Sequence, residues 1–195
     1  MLIDLPTDIQ GYVFDIYKTG LRERHYDCTR YYIDMIHASC GDKADVLIDY
    51  MRDLVRNPSS KPYFALVLTG DFANAVSTLM CRVVGEANCV VGDGSLLGRF
   101  NGRLLDKTLV VVNGTPTADT IGKVKDLVAS PTVVIEERRR NAVKVPSHHR
   151  VVMVSPTVAS DGGRRLCTIE CRPVAGFEAE KVHGYAALRQ HLATD

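Results

Sequence analysis

Two unbroken apolar runs constrain the fold of this chain more than any other feature. "YFALVLTG", Tyr63 to Gly70, and "TLVVVNG", Thr108 to Gly114, place apolar side chains at every central position and close on a glycine. A half-buried strand would alternate, whereas a short continuous run is the pattern of a strand covered on both faces. Such strands belong to parallel sheets, whose crossovers are helices. "STLMCRVVG", closed by Gly85, reads as one short helix, and "TADTIGKVKDLVAS" as another with Thr117 or Asp119 near its N-cap. "TVVIEERRRNAVKVPSHHRVVMVSP" reads as strand, polar turn, strand. "RRLCTIECRP" is a further strand, and "FEAEKVHGYAALRQHLATD" a C-terminal helix interrupted at Gly184. Upstream, residues 11–57 read as helical, with Tyr32, Ile36, Val46, Leu47, Tyr50, Met51 and Leu54 at helical spacing. Gly41 separates two helices, Asn57-Pro58 stops the second, and "PSSKP" is a linker. The expectation is an α/β layered sheet with a helical N-terminal segment over 1–60, a core over 61–175 and a C-terminal helix over 176–195.

Charge and cysteine usage narrow the classes. A net charge of +1 over 195 residues sets up no global field toward DNA or membrane, so nucleic-acid affinity requires a local patch. No apolar run approaches the ~20 residues of a membrane span, and "MLIDLPTDIQ" lacks the regions of a secretory signal. Cys28, Cys40, Cys81, Cys89, Cys167 and Cys171 form no C-x-x-C pair, and His148 and His149 have no cysteine at finger spacing. No metal site is expected, and the thiols read as buried and free in a reducing cytosol.

"ALVLTGDFANAVSTLM", Ala65 to Met80, has the outline of a phosphate-binding loop, G-x-x-x-x-G-K-[ST], in which backbone N–H groups cradle phosphates and Lys neutralises them. Gly70 is followed by four residues, Asp71 to Asn74, then Ala75, Val76 and Ser77. Alanine replaces the cradle glycine, and valine replaces the cation. Alone, the match is as compatible with an ordinary strand–loop–helix.

The order of the remaining segments resembles the ATPase module of superfamily-3 helicases, specifically the phage and poxvirus-type primase–helicases. "LVRNPSSKP" stands where that family has a polar-Pro-x-x-Lys segment before its loop. "LLGRFNGRLLDKTLVVVNG" leads into the Walker B strand, "VVIEERRRNAVKVPSHHR" matches a basic hairpin, "VVMVSPTV" a sensor strand and "DGGRRLCTIE" an Asp-Arg-Arg element. The likeness runs from about Tyr31 to Cys171 and implies an AAA+-like P-loop core with a central, mostly parallel sheet. It also implies a degenerate nucleotide pocket of Gly70, Asp71, Asn74, Ser77, Thr78, Asn113 and Ser155. Asn113-Gly114 stands where Walker B carboxylates belong, and Pro156 where the sensor Asn belongs. Phosphoryl transfer depends on positioning and charge stabilisation, so these replacements imply a pocket that does not hydrolyse ATP. No confident catalytic residue is assigned. No cofactor is expected, with ATP and Mg²⁺ the ligand if the pocket still binds.

Two groups remain. Arg164 and Arg165 stand where the family places an arginine finger, although Asp161-Gly162-Gly163 lengthens the approach; the alternative is solvated charge. Arg138, Arg139, Arg140, Lys144, His148, His149 and Arg150 bracket a turn near Asn141, and in the resembling helicases this hairpin grips strand phosphates. Glu136 and Glu137 offer partial neutralisation, and few aromatics interleave. The expected partners are DNA through the hairpin, and the chain itself or a catalytic ATPase in a ring, without membrane. The resemblance places the chain in the cytoplasm, in a bacterial host if phage-encoded, within a replication system. Two alternatives stand beside it: an active NTPase or DNA helicase with an atypical pocket, using Asp71 or Asp93, and a structural or inhibitory interaction protein. Tyr26, Tyr31 and Tyr32 read as packing residues, and Asp119 and Asp126 as capping and surface.

Overall fold

The computed structural model describes residues 28–157, 164–174 and 185–194. The helix expected before residue 28 and the Gly184 interruption lie outside them. Helices α1 (Cys28–Cys40) and α2 (Ala44–Arg56) meet at a 3-10 turn, Gly41–Lys43, where Gly41 takes φ +55°. β1 (Ala65–Thr69), α3 (Ala73–Val84), β2 (Cys89–Gly92), β3 (Leu109–Asn113) and α4 (Ala118–Ala129) follow. Then come β4 (Thr132–Ile135), β5 (Val143–Pro146), β6 (Arg150–Val154), β7 (Leu166–Glu170) and α5 (Tyr185–Thr194).

Five strands form one sheet in the order β2-β3-β6-β1-β7, and every neighbouring pair in it is parallel. This is the α/β fold expected from the continuous apolar runs. Alternate side chains of β1 explain why the run is unbroken. Leu66 and Leu68 enter a core with α1, α2, α3 and α5, while Ala65 and Val67 enter a second core with Val124, Leu127 and Val128 of α4. Each buried Val or Leu contributes about 1.5–3 kcal/mol relative to exposure, so a polar residue at any of these positions is costly on either face. Both sheet edges are capped by a cation. Arg103 donates to Val91 O on β2 at 3.1 Å, and Lys43 donates to Thr168 O on β7 at 2.5 Å, which blunts strand addition there.

One segment is added and one expectation is corrected. "CVVG", which the sequence left unassigned, is a strand. Its Gly92 is required because a Cβ there would lie 2.9 Å from Leu96 Cγ. The segment read as strand, turn, strand is three strands: β4 and β5 pair antiparallel as a separate two-stranded sheet, and β6 enters the central sheet. Ser147 N donates to Pro131 O at 2.9 Å, closing the hairpin base and turning the chain inward. No described helix is long and apolar enough to cross a membrane.

Candidate functional site

At the carboxyl end of β1 the strand passes to α3 through residues 70–72 alone. Gly70 takes φ +89°, and a Cβ there would lie 2.6 Å from Cys171 O. Phe72 N donates to Cys171 O at 3.2 Å, Ala73 N to Gly70 O at 3.2 Å, and Cys171 N to Thr69 O at 2.7 Å. A phosphate cradle needs several backbone N–H groups converging on open space. Here two of those amides, Phe72 and Ala73, are spent on carbonyls of the protein. The helix starts at Ala73, so Asn74, Ala75, Val76 and Ser77 are helical rather than part of a loop. Val76, in the position of the family's lysine, is fully buried in the core, and Ser77 Oγ donates to Asn74 O at 3.0 Å.

The residues assigned to one nucleotide pocket are therefore divided. Asn74, Ser77, Thr78 and Asn113 line an open cavity of about 290 Å³ together with Cys81, Arg82 and Glu86. Gly70 lines a different cavity, of about 700 Å³, with Thr69, Lys43, Pro156, Glu170 and Arg172. Ser155 is buried, and its Oγ donates to Thr157 O at 2.7 Å and accepts from Thr157 N at 3.1 Å. Asp71 is exposed and lines neither cavity. Asp93 accepts from Ser95 N at 2.9 Å, and hydrogen bonds from the Ser95 side chain and then its backbone hold the carboxyl below the usual range.

The hairpin carries the most distinctive surface. Arg138, Arg139, Arg140 and Lys144 are all exposed. The turn sits at Glu137–Arg140 rather than at Asn141: Arg140 N donates to Glu137 O at 3.3 Å, and Arg139 takes φ +63°. Arg140 pairs with Glu137 at 2.6 Å, and Glu136 pairs at 3.0 Å with Arg99 from the loop before β3. That loop is held by Asn101, whose Nδ2 donates to Val134 O and whose Oδ1 accepts from Glu136 N, both at 2.9 Å. The side chain thus acts as a short extra rung on β4. It sets Phe100, 51% exposed, between two guanidinium groups, Arg99 at 5.5 Å and Arg138 at 5.4 Å from the ring centroid. Two guanidinium groups lie against this ring and Arg139, Arg140 and Lys144 are exposed on the same hairpin, a surface that offers phosphate contact beside an exposed aromatic edge. The sequence reading missed Phe100, since "GRFNGR" lies more than thirty residues before the hairpin.

His148 is exposed at the hairpin base, but His149 and Arg150 do not join the basic surface. His149 is buried; its Nδ1 accepts from Ser147 Oγ at 3.2 Å and its Nε2 donates to Leu104 O at 2.9 Å. Burial holds its imidazole below the ordinary value, which keeps it neutral. Lys61 feeds the same network, donating to Ser147 Oγ at 2.7 Å and to the α4 carboxyl-end carbonyls of Leu127 and Ser130. Arg150 is fully buried against Asp53. Arg164 and Arg165 are exposed at the start of β7, at the amino end of the sheet and away from both cavities, with Arg165 O accepting from Ala65 N at 2.8 Å. Residues 161–163 lie outside the described residues. Among the described residues no group of three or more His, Cys, Asp or Glu is arranged to hold a metal ion.

The fold and site define an α/β protein with a parallel five-stranded sheet and an inserted basic hairpin. A family model described as a family of unknown function (DUF5906) matches residues 69–165. No curated protein matches the chain. Two apo structures of the NrS-1 C-terminal region share the fold at 14% identity and cover 89% of this chain, with TM-scores of 0.66 and 0.67. The chain spans about half the length of each, 46% and 47%. A JCV helicase bound to a thiazolopyridine-containing acetamide aligns with a TM-score of 0.48 at 14% identity, over 86% of this chain and 53% of its own.

Proposed function

We propose that this chain is a helicase-like module, of a phage or mobile-element replication system, that holds single-stranded nucleic acid on its hairpin face and does not turn over nucleotide. The observation that carries the reading is the exposed Phe100 ring set between Arg99 and Arg138 on a turn bearing Arg139 and Arg140. Guanidinium groups supply sequence-independent phosphate contact, and the ring supplies a face on which any base stacks. The order of sequence segments supports the superfamily-3 likeness. The short β1–α3 connection and the core position of Val76 support binding without hydrolysis. Arg164 and Arg165, exposed on the opposite end of the sheet, favour a second role in which they meet a neighbouring ATPase subunit.

The test is fluorescence anisotropy with a labelled oligothymidine over a range of salt. Binding should weaken with a log–log slope of about −0.7 for each phosphate neutralised. Arg139→Ala should reduce that slope by about one contact. Phe100→Ala should weaken binding by about 1–3 kcal/mol and leave the slope unchanged. No binding at low salt, or binding unaffected by removing Arg138, Arg139 and Arg140 together, overturns the reading.

A further inference from the structure

Helix α3 ends at Gly85, whose φ of +95° turns the chain into a single 3-10 turn, Glu86–Asn88, and then directly into β2. This return is firmly anchored. Gly85 N donates to Cys81 O at 2.9 Å, Asn88 N to Gly85 O at 2.9 Å, Asn88 Nδ2 to Val84 O at 3.0 Å, and Thr108 N to Asn88 O at 2.9 Å. It brings Cys89, the first residue of β2, back over the last turns of α3. Cys89 Sγ donates to Cys81 O at 3.5 Å, which sets the Cys89 sulfur against Cys81. Both are partly exposed and line the same open cavity as Asn74, Thr78 and Asn113.

We propose that Cys81 and Cys89 are a peroxide-oxidisable dithiol, which closes to a disulfide across the α3–β2 return. The pair meets three requirements together: one sulfur packed against the other cysteine, a backbone that already holds them in place, and access from solvent through the cavity both line. The hydrogen bond from Cys89 draws the Cys81 thiol below its ordinary value against the opposing effect of burial, whereas the same contact and burial push Cys89 up. Cys89 Sγ donates its proton to Cys81 O at 3.5 Å, which keeps the Cys89 thiol protonated, so Cys81 is the attacking sulfur. Its thiolate attacks one peroxide oxygen, the O–O bond breaks, and the departing oxygen leaves protonated, as water when the oxidant is hydrogen peroxide. Cys81 is left as a sulfenic acid. The Cys89 sulfur then attacks the Cys81 sulfur, the S–O bond breaks, and water leaves with the Cys89 proton. Two thiols are oxidised and one peroxide is reduced.

A second pair provides an internal control. Cys40 and Cys171 are also hydrogen-bonded to each other, but Cys171 is fully buried and Cys40 nearly so. Cys40 lines the cavity of about 700 Å³ but is only 7% exposed, and Cys171 has no exposure, so this pair should oxidise more slowly than Cys81–Cys89.

The experiment exposes the reduced full chain to a small excess of hydrogen peroxide, blocks remaining thiols by alkylation and maps peptides without reduction. Trypsin cuts after Arg82, so Cys81 and Cys89 fall on separate peptides unless a disulfide joins them. The expected result is a joined Cys81–Cys89 peptide, with Cys40 and Cys171 alkylated only after denaturation. Cys89→Ser should accumulate a sulfenic acid at Cys81 that a dimedone-type reagent traps, while Cys81→Ser should give no comparable adduct at Cys89. Near-UV circular dichroism identifies variants that have kept their packing. Independent alkylation of both thiols after peroxide, over-oxidation without a joined peptide, or earlier closure of Cys40–Cys171 overturns the proposal.

Discussion

Arg150 and Asp53 meet at the carboxyl end of α2: Nη2 of a guanidinium with no solvent exposure lies 2.7 Å from Oδ2 of a half-exposed carboxylate. The same nitrogen donates to the carbonyls of Asp53 and Asn57 at 3.2 and 3.1 Å, so the arginine also closes the carboxyl end of α2, where a positive charge is favoured. Its guanidinium lies 5.7 Å from the centroid of the Tyr50 ring. The contact ties the helical segment before residue 57 to the first residue of β6. Breaking a fully buried pair costs about 3–5 kcal/mol, and less here, because water still reaches the Asp53 carboxylate. Arg150→Ala should therefore destabilise by about 1–3 kcal/mol, most of it from the lost packing and helix-end contacts of a side chain with no solvent exposure. Arg150→Met should cost less, because it fills the space and removes the buried Nε and Nη1, which have no partner. Urea midpoints of the two variants measure the difference. Burial raises the Asp53 carboxyl, but hydrogen bonds from Asn57 and Arg150 outweigh it and hold the group below its ordinary value. Its contribution is present above the unfolded value near 4 and is lost as pH falls through the folded one.

His149 predicts a second acid sensitivity at higher pH. Burial lowers its folded value below the ordinary 6.5 of a free imidazole. The unfolded chain therefore takes up the proton first as pH falls, and stability declines below about pH 6.5 until the folded value is passed. Between pH 7.5 and 5.5 the urea midpoint should drop, and His149→Gln should flatten that drop. An unchanged slope in the variant would remove His149 as the cause.

These two residues also mark where the sequence stops being legible. β1, β3, β6 and β7 announce themselves through short apolar runs closed by Gly, Pro or charge, because two-sided burial admits little else. β2 is a four-residue strand with a glycine inside it, and nothing local separates it from a turn. The basic run is legible as charge but not as placement. Arg138 to Arg140 stay outside, while His149 and Arg150 are drawn in by Leu104 and Asp53, each far away in the chain. Phe100 acquires its arginine neighbours through Asn101, whose partners lie 33 and 35 positions away. The spacing of Gly70 and Ser77 matches a phosphate loop, but helix α3 begins four positions before Ser77 and uses up the loop.

That early start gives a third prediction. Restoring the missing cation by Val76→Lys should not restore nucleotide binding, because the side chain at 76 points into a core where it is fully buried. The substitution places an unpaired ammonium among apolar groups, a change that destabilises by several kcal/mol or forces the lysine neutral. Thermal melting should fall sharply, and calorimetric titration with Mg-ATP should give no saturable heat. Saturable binding by the variant would mean that the α3 amino end opens into a cradle. Gly70→Ala should also be severe, since its Cβ would meet Cys171 O at 2.6 Å at a φ of +89°.

Asn101 separates the role of geometry from that of charge on the hairpin face. Its two hydrogen bonds hold the loop carrying Arg99 and Phe100 against β4, yet it contributes no charge and no ring. Asn101→Ala should weaken binding to a labelled oligothymidine by an amount close to that of Phe100→Ala, because the ring loses its position between the two arginines. The melting temperature should move little, since the loop is exposed and each lost hydrogen bond is worth about 1 kcal/mol. In the double variant, Asn101→Ala should add little to the loss already caused by Phe100→Ala, the signature of two residues acting through one contact. Fully additive losses would mean that Asn101 touches the nucleic acid itself, and the positioning role assigned to it would fail.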